Sequence, residues 1–300
     1  LKRQITLPMN AEAGIVLMIG TTATFAASDS TVKVIGGAVP LVALLLGRYS
    51  FQAVALATWQ ARQGINPLRN AGVLKLQLLR ALLLLLNSAS TFAGLRYLPL
   101  PVATSLAMMA PLIATLLAAT LLNEKVPKSK WSMVVLGFIG MLIVVRPGSG
   151  DFSWAVAYPI GGATTFACFQ VVSSKLSTAG DPITTNFITA LVASIALAGL
   201  LWVGQADLLP EIRKVTVGSW LLVLVMASLA TFGHLLMLQA LRRTPLALLT
   251  PFGYAQLAFA TLFSWVLFSK VPDLWTAVGM LVIAVSGIGT VLLHAHARRR

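Results

Sequence analysis

LRYLPLPVATSLAMMAPLIATLLAATLLNEKVPKSKWSMVVLGFIGMLIVVRP, Leu95–Pro147, is the stretch whose reading decides the fold. It holds two apolar runs, each of about twenty residues, the length at which an α-helix crosses a bilayer core. A short charged hinge from Glu124 to Lys130 joins them. A degraded copy follows between Leu241 and Val291, beginning LRRTPLALLTPFGYAQL and continuing through FSKVPDLWTAVGMLVIAVSG. One stretch therefore names the solvent, which is lipid, and the plan, which is a duplication.

Composition agrees. The 300 residues are 58% hydrophobic and 10% charged, with a mean hydropathy of +0.88, where a soluble domain carries about 25% charged residues. A net charge of +14 could point to nucleic acid. The basic residues, however, come in ones to threes between apolar runs, with no stripe of Lys and Arg among exposed aromatics, so they read as topology signals. Cys168 is the single cysteine and excludes a disulfide frame and a Cys-based metal site. The first apolar run lacks a small-residue cleavage site and reads as a retained span.

Ten segments qualify as spans, at approximately 13–31, 34–58, 74–96, 100–122, 130–146, 153–174, 183–205, 217–241, 246–268 and 274–294. Only 59–73 and 206–216 are long enough to be loops, and no period-two alternation supports a β-barrel. With a cytoplasmic N-terminus, fourteen Lys and Arg at or beyond the span ends fall inside and six fall outside, which favours N-in and C-in. Asp29, Asp151, Asp207, Glu211 and Asp273 are then assigned to the outer side. Trp59, Trp131, Trp154, Trp202, Trp220 and Trp275 sit at predicted helix ends, as an interfacial belt requires.

The halves are related. IGTTATFA at Ile19–Ala26 matches IGGATTFA at Ile160–Ala167, Leu95, Arg96 and Pro99 match Leu241, Arg242 and Pro245, and Lys125, Val126 and Pro127 match Lys270, Val271 and Pro272. The offset stays between 141 and 146 residues, so the repeat is five helices long. Five is odd, so the second copy enters from the opposite side, the plan of many alternating-access carriers. The expected fold is an all-α integral membrane protein of ten transmembrane helices in two inverted five-helix repeats, residues 1–148 and 149–300.

Enzyme chemistry finds no footing: the spans hold no paired carboxylates, no HExxH and no phosphate-cradling glycine loop. Ionisable groups inside spans are functional candidates by default. Arg48, placed in the inner half of the second span, and Arg80 either snorkel to the cytoplasmic interface or attract an anionic solute at the inner mouth. Glu12 and Glu124 complete the gating and charge candidates. No Asp or Glu is expected at mid-span. His234 serves either as a neutral core histidine or as a charge switch.

A solute cavity at the repeat interface should be mostly apolar with few polar groups. Its candidates are Thr24 and Phe25 in the first span and Asn87, Ser90 and Thr91 in the third. Met108, Phe166, Phe169 and Gln170 follow, then His234, Tyr254 and Gln256. Aromatic rings at Phe166, Phe169 and Tyr254 suit a flat apolar solute, though each also suits core packing. In-span Gly and Pro, including Gly20, Pro40, Pro111, Gly161, Gly162 and Pro251, allow close packing or bending.

Arg80, GLRYLPLPVATSL at Gly94–Leu106, Pro111, Glu124 and the run KWSMVVLGFIGMLIVVRPG at Lys130–Gly148 resemble the core of bacterial drug/metabolite transporters of the ten-helix EamA type. Two positions depart: the family's second half often carries Pro in the ninth helix and Glu at its end, where Gln256 and Ser269 stand. The resemblance implies an inner-membrane carrier with a central cavity, exporting small metabolites. Within the family the chain is most similar to exporters of amino acids, the aromatic branch included. The expected partners are that solute and the lipid bilayer; no nucleic acid, cofactor or metal is expected, and nothing requires more than a monomer. The alternatives are efflux of cationic drugs, which usually needs a buried carboxylate, and a non-transporting structural membrane protein.

Overall fold

Proline and glycine punctuate the chain into helices. Pro40 (φ −54°, ψ 140°) and Pro99 (φ −57°, ψ 144°) stand immediately before helices, where a residue without an N–H and with fixed φ costs nothing. Gly36, at φ 54°, closes the first helix with its N–H on the Val32 carbonyl. The computed structural model describes residues 11–64, 74–110, 112–113, 117, 128–146, 153–176, 182–243, 249 and 252–297, and among these there is no strand.

The helices are α1 (Ala11–Ile35), α2 (Leu41–Arg62), α3 (Leu74–Tyr97), α4 (Leu100–Ala107), α5 (Lys128–Val145), α6 (Ala157–Leu176), α7 (Pro182–Val203), α8 (Gln205–Arg213), α9 (Val217–Arg243), α10 (Ala255–Phe268) and α11 (Leu274–Ala297). Among the described residues, five stretches are long and apolar enough to cross a membrane: Glu12–Ile35, Leu41–Arg62, Leu74–Tyr97, Ile183–Val203 and Val217–Met237. Trp131–Val145, Ala255–Phe268 and Leu274–Gly289 are shorter apolar helices.

Two local expectations change. Pro40 is not a kink inside a span; it precedes α2, and α1 runs unbroken to Ile35. The stretch 206–216, expected as a loop, is largely the helix α8, which carries Asp207 in its first turn and Arg213 in its last, the arrangement its dipole favours. No α8 residue is buried, so local electrostatics rather than a core supports it. Pro111, Pro251 and Glu124 lie outside the described residues.

Helix pairing follows a pattern. α1 packs on α9 and α10, α6 on α3 and α4, α2 on α7 and α9, and α7 also on α3; α4 meets α10 and α5 meets α11. Exchanging α1 with α6, α2 with α7, α3 with α9, α4 with α10 and α5 with α11 leaves this set of pairs unchanged. At one end of the bundle, Lys33 Nζ donates to the Leu98 carbonyl (2.6 Å) and Arg96 Nη2 to the Val39 carbonyl (2.5 Å), fastening the α1–α2 turn to the α3–α4 turn. This is called the Pro40 end below, and the opposite one the Arg62 end.

The bundle keeps polar side chains within its apolar core and turns large apolar ones outward. Gln52, Gln60, Gln77, Asn186 and His234 are buried, whereas Phe232 (56% exposed), Trp265 (59%), Leu281 and Val285 face outward. In water that distribution would be unfavourable; in hydrocarbon it is the stable one, and Gln60, Gln77 and Asn186 find partners within the bundle.

At the Pro40 end, Asp273 accepts from the Thr276 N–H (2.7 Å), the N-cap bond of α11, and pairs with Arg146 Nη2 (2.5 Å) at the end of α5. The hydrogen bonds from Thr276, side chain first and then backbone, and next the Arg146 guanidinium hold this carboxyl below its ordinary value. A depressed carboxyl stabilises the fold above the unfolded value of 3.8 and loses that contribution as pH falls through the folded one. Asp273→Ala is therefore expected to cost about 1 kcal/mol, mostly the lost cap because the pair is exposed. Unfolding in detergent should show a loss that is constant from about pH 5 to 8, since both states are ionised there.

Candidate functional site

Two arginines are buried where polar side chains of several helices converge. Arg48 lies seven residues into α2 from Pro40 and is 7% exposed. Its Nη1 donates to Ser88 Oγ of α3 (2.6 Å), and that oxygen also meets the Tyr49 hydroxyl (2.8 Å), which reaches the Leu84 carbonyl (3.2 Å). The guanidinium stacks over the rings of Tyr49 (5.1 Å) and Phe92 (5.2 Å). Its Nε is buried without a partner among the described residues.

Arg80 sits six residues into α3 from the Arg62 end and is also 7% exposed. It donates to Asn186 Oδ1 (3.0 Å), to the Thr185 carbonyl (3.4 Å) and to Thr189 Oγ1, all on α7, and lies 4.6 Å above the Phe169 ring of α6. Gln77 reaches Thr185 (3.4 Å) and Gln60 reaches Thr184 (3.2 Å), so the stretch Thr184–Thr189 gathers α2 and α3 onto α7. Neither arginine snorkels to an interface, as the sequence allowed. Arg48 also belongs to the Pro40 half of α2 rather than to the inner half expected, because the helix begins at Leu41 and not near residue 34.

The main correction is Asp29. Expected outside the bilayer, it lies inside α1, six residues before Ile35, and its carboxylate accepts from Gln256 Nε2 of α10 (3.2 Å). It is only partly exposed, and the Arg48 guanidinium is within electrostatic reach. The spans thus hold a carboxylate after all. The signal was available: α1 meets no stop until Gly36, Gly37 and Pro40, so a helix continuing past residue 31 carries Asp29 from the outer edge of the drawn span into its interior.

Other candidates assemble in part. Phe25, one turn before Asp29 on the same face of α1, meets His234 of α9 edge to face, with ring centroids 4.9 Å apart at 64°. His234 is buried, with Nδ1 2.7 Å from the Ala230 carbonyl, and Arg48 is within its electrostatic reach. Phe166 and Phe169 stack at 5.6 Å. Asn87, Ser90 and Thr91 face the Gly161–Gly162 pair of α6; a Cβ on Gly162 would lie 3.1 Å from Thr91 Oγ1 and 3.5 Å from Asn87 Oδ1. They meet a close helix crossing, the role small residues have in membranes. Thr24 gives its hydroxyl proton to the Gly20 carbonyl (2.6 Å). Glu12 is exposed in the first turn of α1. The Gln170 side chain and Glu124 lie outside the described residues.

Tyr254 and Met108 go elsewhere. Tyr254 packs with Leu106, Val144, Leu257 and Ile283, with Met108 at the edge, and its phenol fills the space above Gly287 of α11. Core packing, the alternative left open for this ring, is what it does. Its hydroxyl is buried with no partner among the described residues. Tyr254→Phe removes that orphan, so thermal unfolding should show stability unchanged or raised by about 1 kcal/mol. A weakened apparent solute affinity in the same variant would instead place the phenol on the solute.

A pocket of about 510 Å³ opens at the Pro40 end between the start of α4, the ends of α5 and α10 and the start of α11, with Pro99, Val102, Ser264, Lys270 and Thr276 on its wall. A shallower groove of about 600 Å³ runs along α10 and α11 past Trp265 and Leu281 on the lipid side. Neither contains Asp29 or Arg48. The first lies at the Pro40 end of the bundle.

An apolar-surfaced helical bundle with charged groups in its interior is a multi-pass membrane protein. The chain belongs to the EamA-like transporter family, whose model matches it twice, over residues 12–146 and 153–292. It is similar to the S-adenosylmethionine uptake transporter of Rickettsia prowazekii (strain Madrid E), 24% identical over 273 residues, covering 90% of this chain and 89% of the relative. It is similar also to the riboflavin transporter of Vibrio cholerae serotype O1, 26% identical over 253 residues with 83% of each chain covered. The pseudopaline exporter CntI of Pseudomonas aeruginosa (strain UCBPP-PA14) is 24% identical over 279 residues, covering 92% and 95%. A solved crystal structure shares the fold with a TM-score of 0.66 at 15% identity, covering 95% of this chain and 99% of the other. The relatives are transporters, not enzymes, and the chain is a multi-pass protein of the bacterial inner membrane moving a small-molecule solute.

Proposed function

We propose that the chain exports amino acids, aromatic or other neutral hydrophobic ones, or small metabolites of similar size, by alternating access through a central cavity. The observation that carries this reading is the layer in which Asp29, Arg48, His234 and Gln256 converge from α1, α2, α9 and α10, with Phe25 and Phe92 beside them. Charges this far inside a lipid-facing bundle are expensive, and a solute path is the usual reason for their presence. Helices on both sides of residue 148 build the layer, which suits a cavity between two repeats, 1–148 and 149–300.

The twofold family match supports that duplication, and so does a helix pairing unchanged by exchanging the halves. Five helices per half make the repeats inverted. With both termini cytoplasmic, the Pro40 end and its pocket face outward. The relatives are named for uptake as well as for export; export rests here on the resemblance to amino-acid exporters.

Labelled amino acids should enter proteoliposomes containing the purified chain saturably and in competition with analogues. S-adenosylmethionine and riboflavin belong in the panel because two relatives carry those names. Flux of either, with none for any amino acid, removes the substrate reading. A second reading, efflux of cationic solutes, gains from Asp29, which supplies the buried carboxylate that such a carrier needs.

A further inference from the structure

We infer that Asp29 and Arg48 are the two poles of a zwitterion-binding site: Asp29 with Gln256 receives the solute's ammonium, and Arg48 receives its carboxylate. This rests on the transport reading above and names the headgroup its solute must carry.

The two charges feel each other, yet their hydrogen bonds go elsewhere, Asp29 to Gln256 and Arg48 to Ser88. A direct ion pair would make this a structural clamp. Neither charge is consumed by the other, so both stay available to a ligand that presents the reverse charges in the reverse order.

Arg48 is also incompletely used. The guanidinium carries five N–H donors in a rigid fork suited to a carboxylate, and its Nε is orphaned although the side chain is 93% buried by the 7% exposure it retains. An unmade hydrogen bond on a buried charged group is costly, and a carboxylate arriving at Nε would remove that cost. Ser88 and Tyr49 hold the far side of the fork, and Phe92 lies across its face, so the guanidinium is fixed before a solute arrives.

Asp29 is prepared in the same way. Gln256 holds one carboxylate oxygen, and the side chain keeps partial access in an otherwise tight bundle. By helical rise, Asp29 lies about 9 Å from the end of α1 and Arg48 about 10 Å from the start of α2, so both occupy one layer under the Pro40 end. Phe25, one turn along α1, and His234 against it place aromatic surface next to this layer, where an apolar solute side chain would lie. A purely cationic solute would meet Arg48, and a purely anionic one Asp29; only a zwitterion matches both.

The test uses the full-length protein in proteoliposomes, with labelled L-phenylalanine counterflow as the readout. The competitors are phenylalanine, phenylalaninamide (no carboxylate) and 3-phenylpropionate (no ammonium). In the wild type, phenylalanine should compete about tenfold better than either analogue, the worth of one charge-assisted hydrogen bond. Asp29→Asn should erase discrimination against 3-phenylpropionate alone, and Arg48→Gln discrimination against the amide alone. Should Arg48→Gln fail to fold, Ser88→Ala, which loosens the fork, should weaken the same discrimination. Partial misfolding cannot produce two opposite selectivity changes.

Equal shifts for all three competitors in both variants overturn the site and leave the transport reading standing, as does phenylalaninamide outcompeting phenylalanine. If phenylalanine is not transported but protects the purified protein against heat with the same selectivity pattern, the transport reading falls and the site stands. If it neither moves nor protects, the site is wrong.

Discussion

Arg80→Ala is expected to destabilise the protein by about 3 kcal/mol, the largest loss for a side chain in the Arg62 half. Truncation leaves Asn186 Oδ1 and Thr189 Oγ1 without their guanidinium donor, while the Thr185 carbonyl loses one of its donors and keeps the Thr189 hydroxyl. Orphaned buried acceptors cost about 1–3 kcal/mol each when nothing replaces the donor, partly offset where threonine and asparagine find one another. The stack on Phe169 is lost as well, worth about 1 kcal/mol. Arg80→Lys should recover only part of the loss, since a point charge cannot reach three acceptors set out for a planar fork. Unfolding in detergent checks the stability. If Arg80→Ala keeps wild-type stability while flux is abolished, Arg80 acts on the solute, and the attraction of an anion at the inner mouth regains its ground.

Those partners explain why the fold was more legible than the site. Spans are encoded by local apolar length, and their ends by Pro40, Pro99 and Gly36, so apolar segments can be drawn from sequence and the described helices other than α8 overlap them. α8 escaped because polar residues and an internal Pro210 look like loop. The site depends on which face of each helix turns inward. Helices that are apolar nearly all round carry little such signal. Phe25, His234 and Gln256 could be picked out as polar or aromatic residues in leucine-rich runs, and they do meet partners across the bundle. Asp29 pairs with a residue 227 positions away, and Arg80 with residues 105 to 109 away. Distances of that kind are set by how the two halves dock, not by any local pattern. Tyr254 shows the reverse case: an aromatic chosen for stacking on a solute is consumed by the glycine gap at Gly287.

Gly279→Leu should be the most damaging single change on the α5–α11 pair. A Cβ at Gly279 would lie 2.5 Å from Val144 Cγ2, 2.8 Å from the Gly140 carbonyl oxygen and 3.1 Å from the Val144 nitrogen. A side chain could turn away, but a backbone carbonyl cannot move unless the helices part. The opposite face is built alike: a Cβ on Gly140 would sit 2.9 Å from Ile283 Cγ1 and 3.0 Å from the Ile283 nitrogen. The two helices thus approach nearly backbone to backbone, the geometry small residues allow in a bilayer, where dispersion and hydrogen bonds rather than water drive association. Prying them apart exposes Ile283, now fully buried, and stretches the bond from Ser286 Oγ to the Met133 carbonyl. The expected cost is about 3 kcal/mol, the upper part of the overpacking range. Gly199→Leu on α7 is the matched control, because nothing lies within 4 Å of its Cβ direction. There the same leucine should stabilise by about 0.5–1 kcal/mol through helix propensity. Opposite signs for one substitution at two glycines, read by unfolding in the same detergent, would establish that α5 and α11 are locked by their glycines; equal losses at both would show that added bulk alone is to blame.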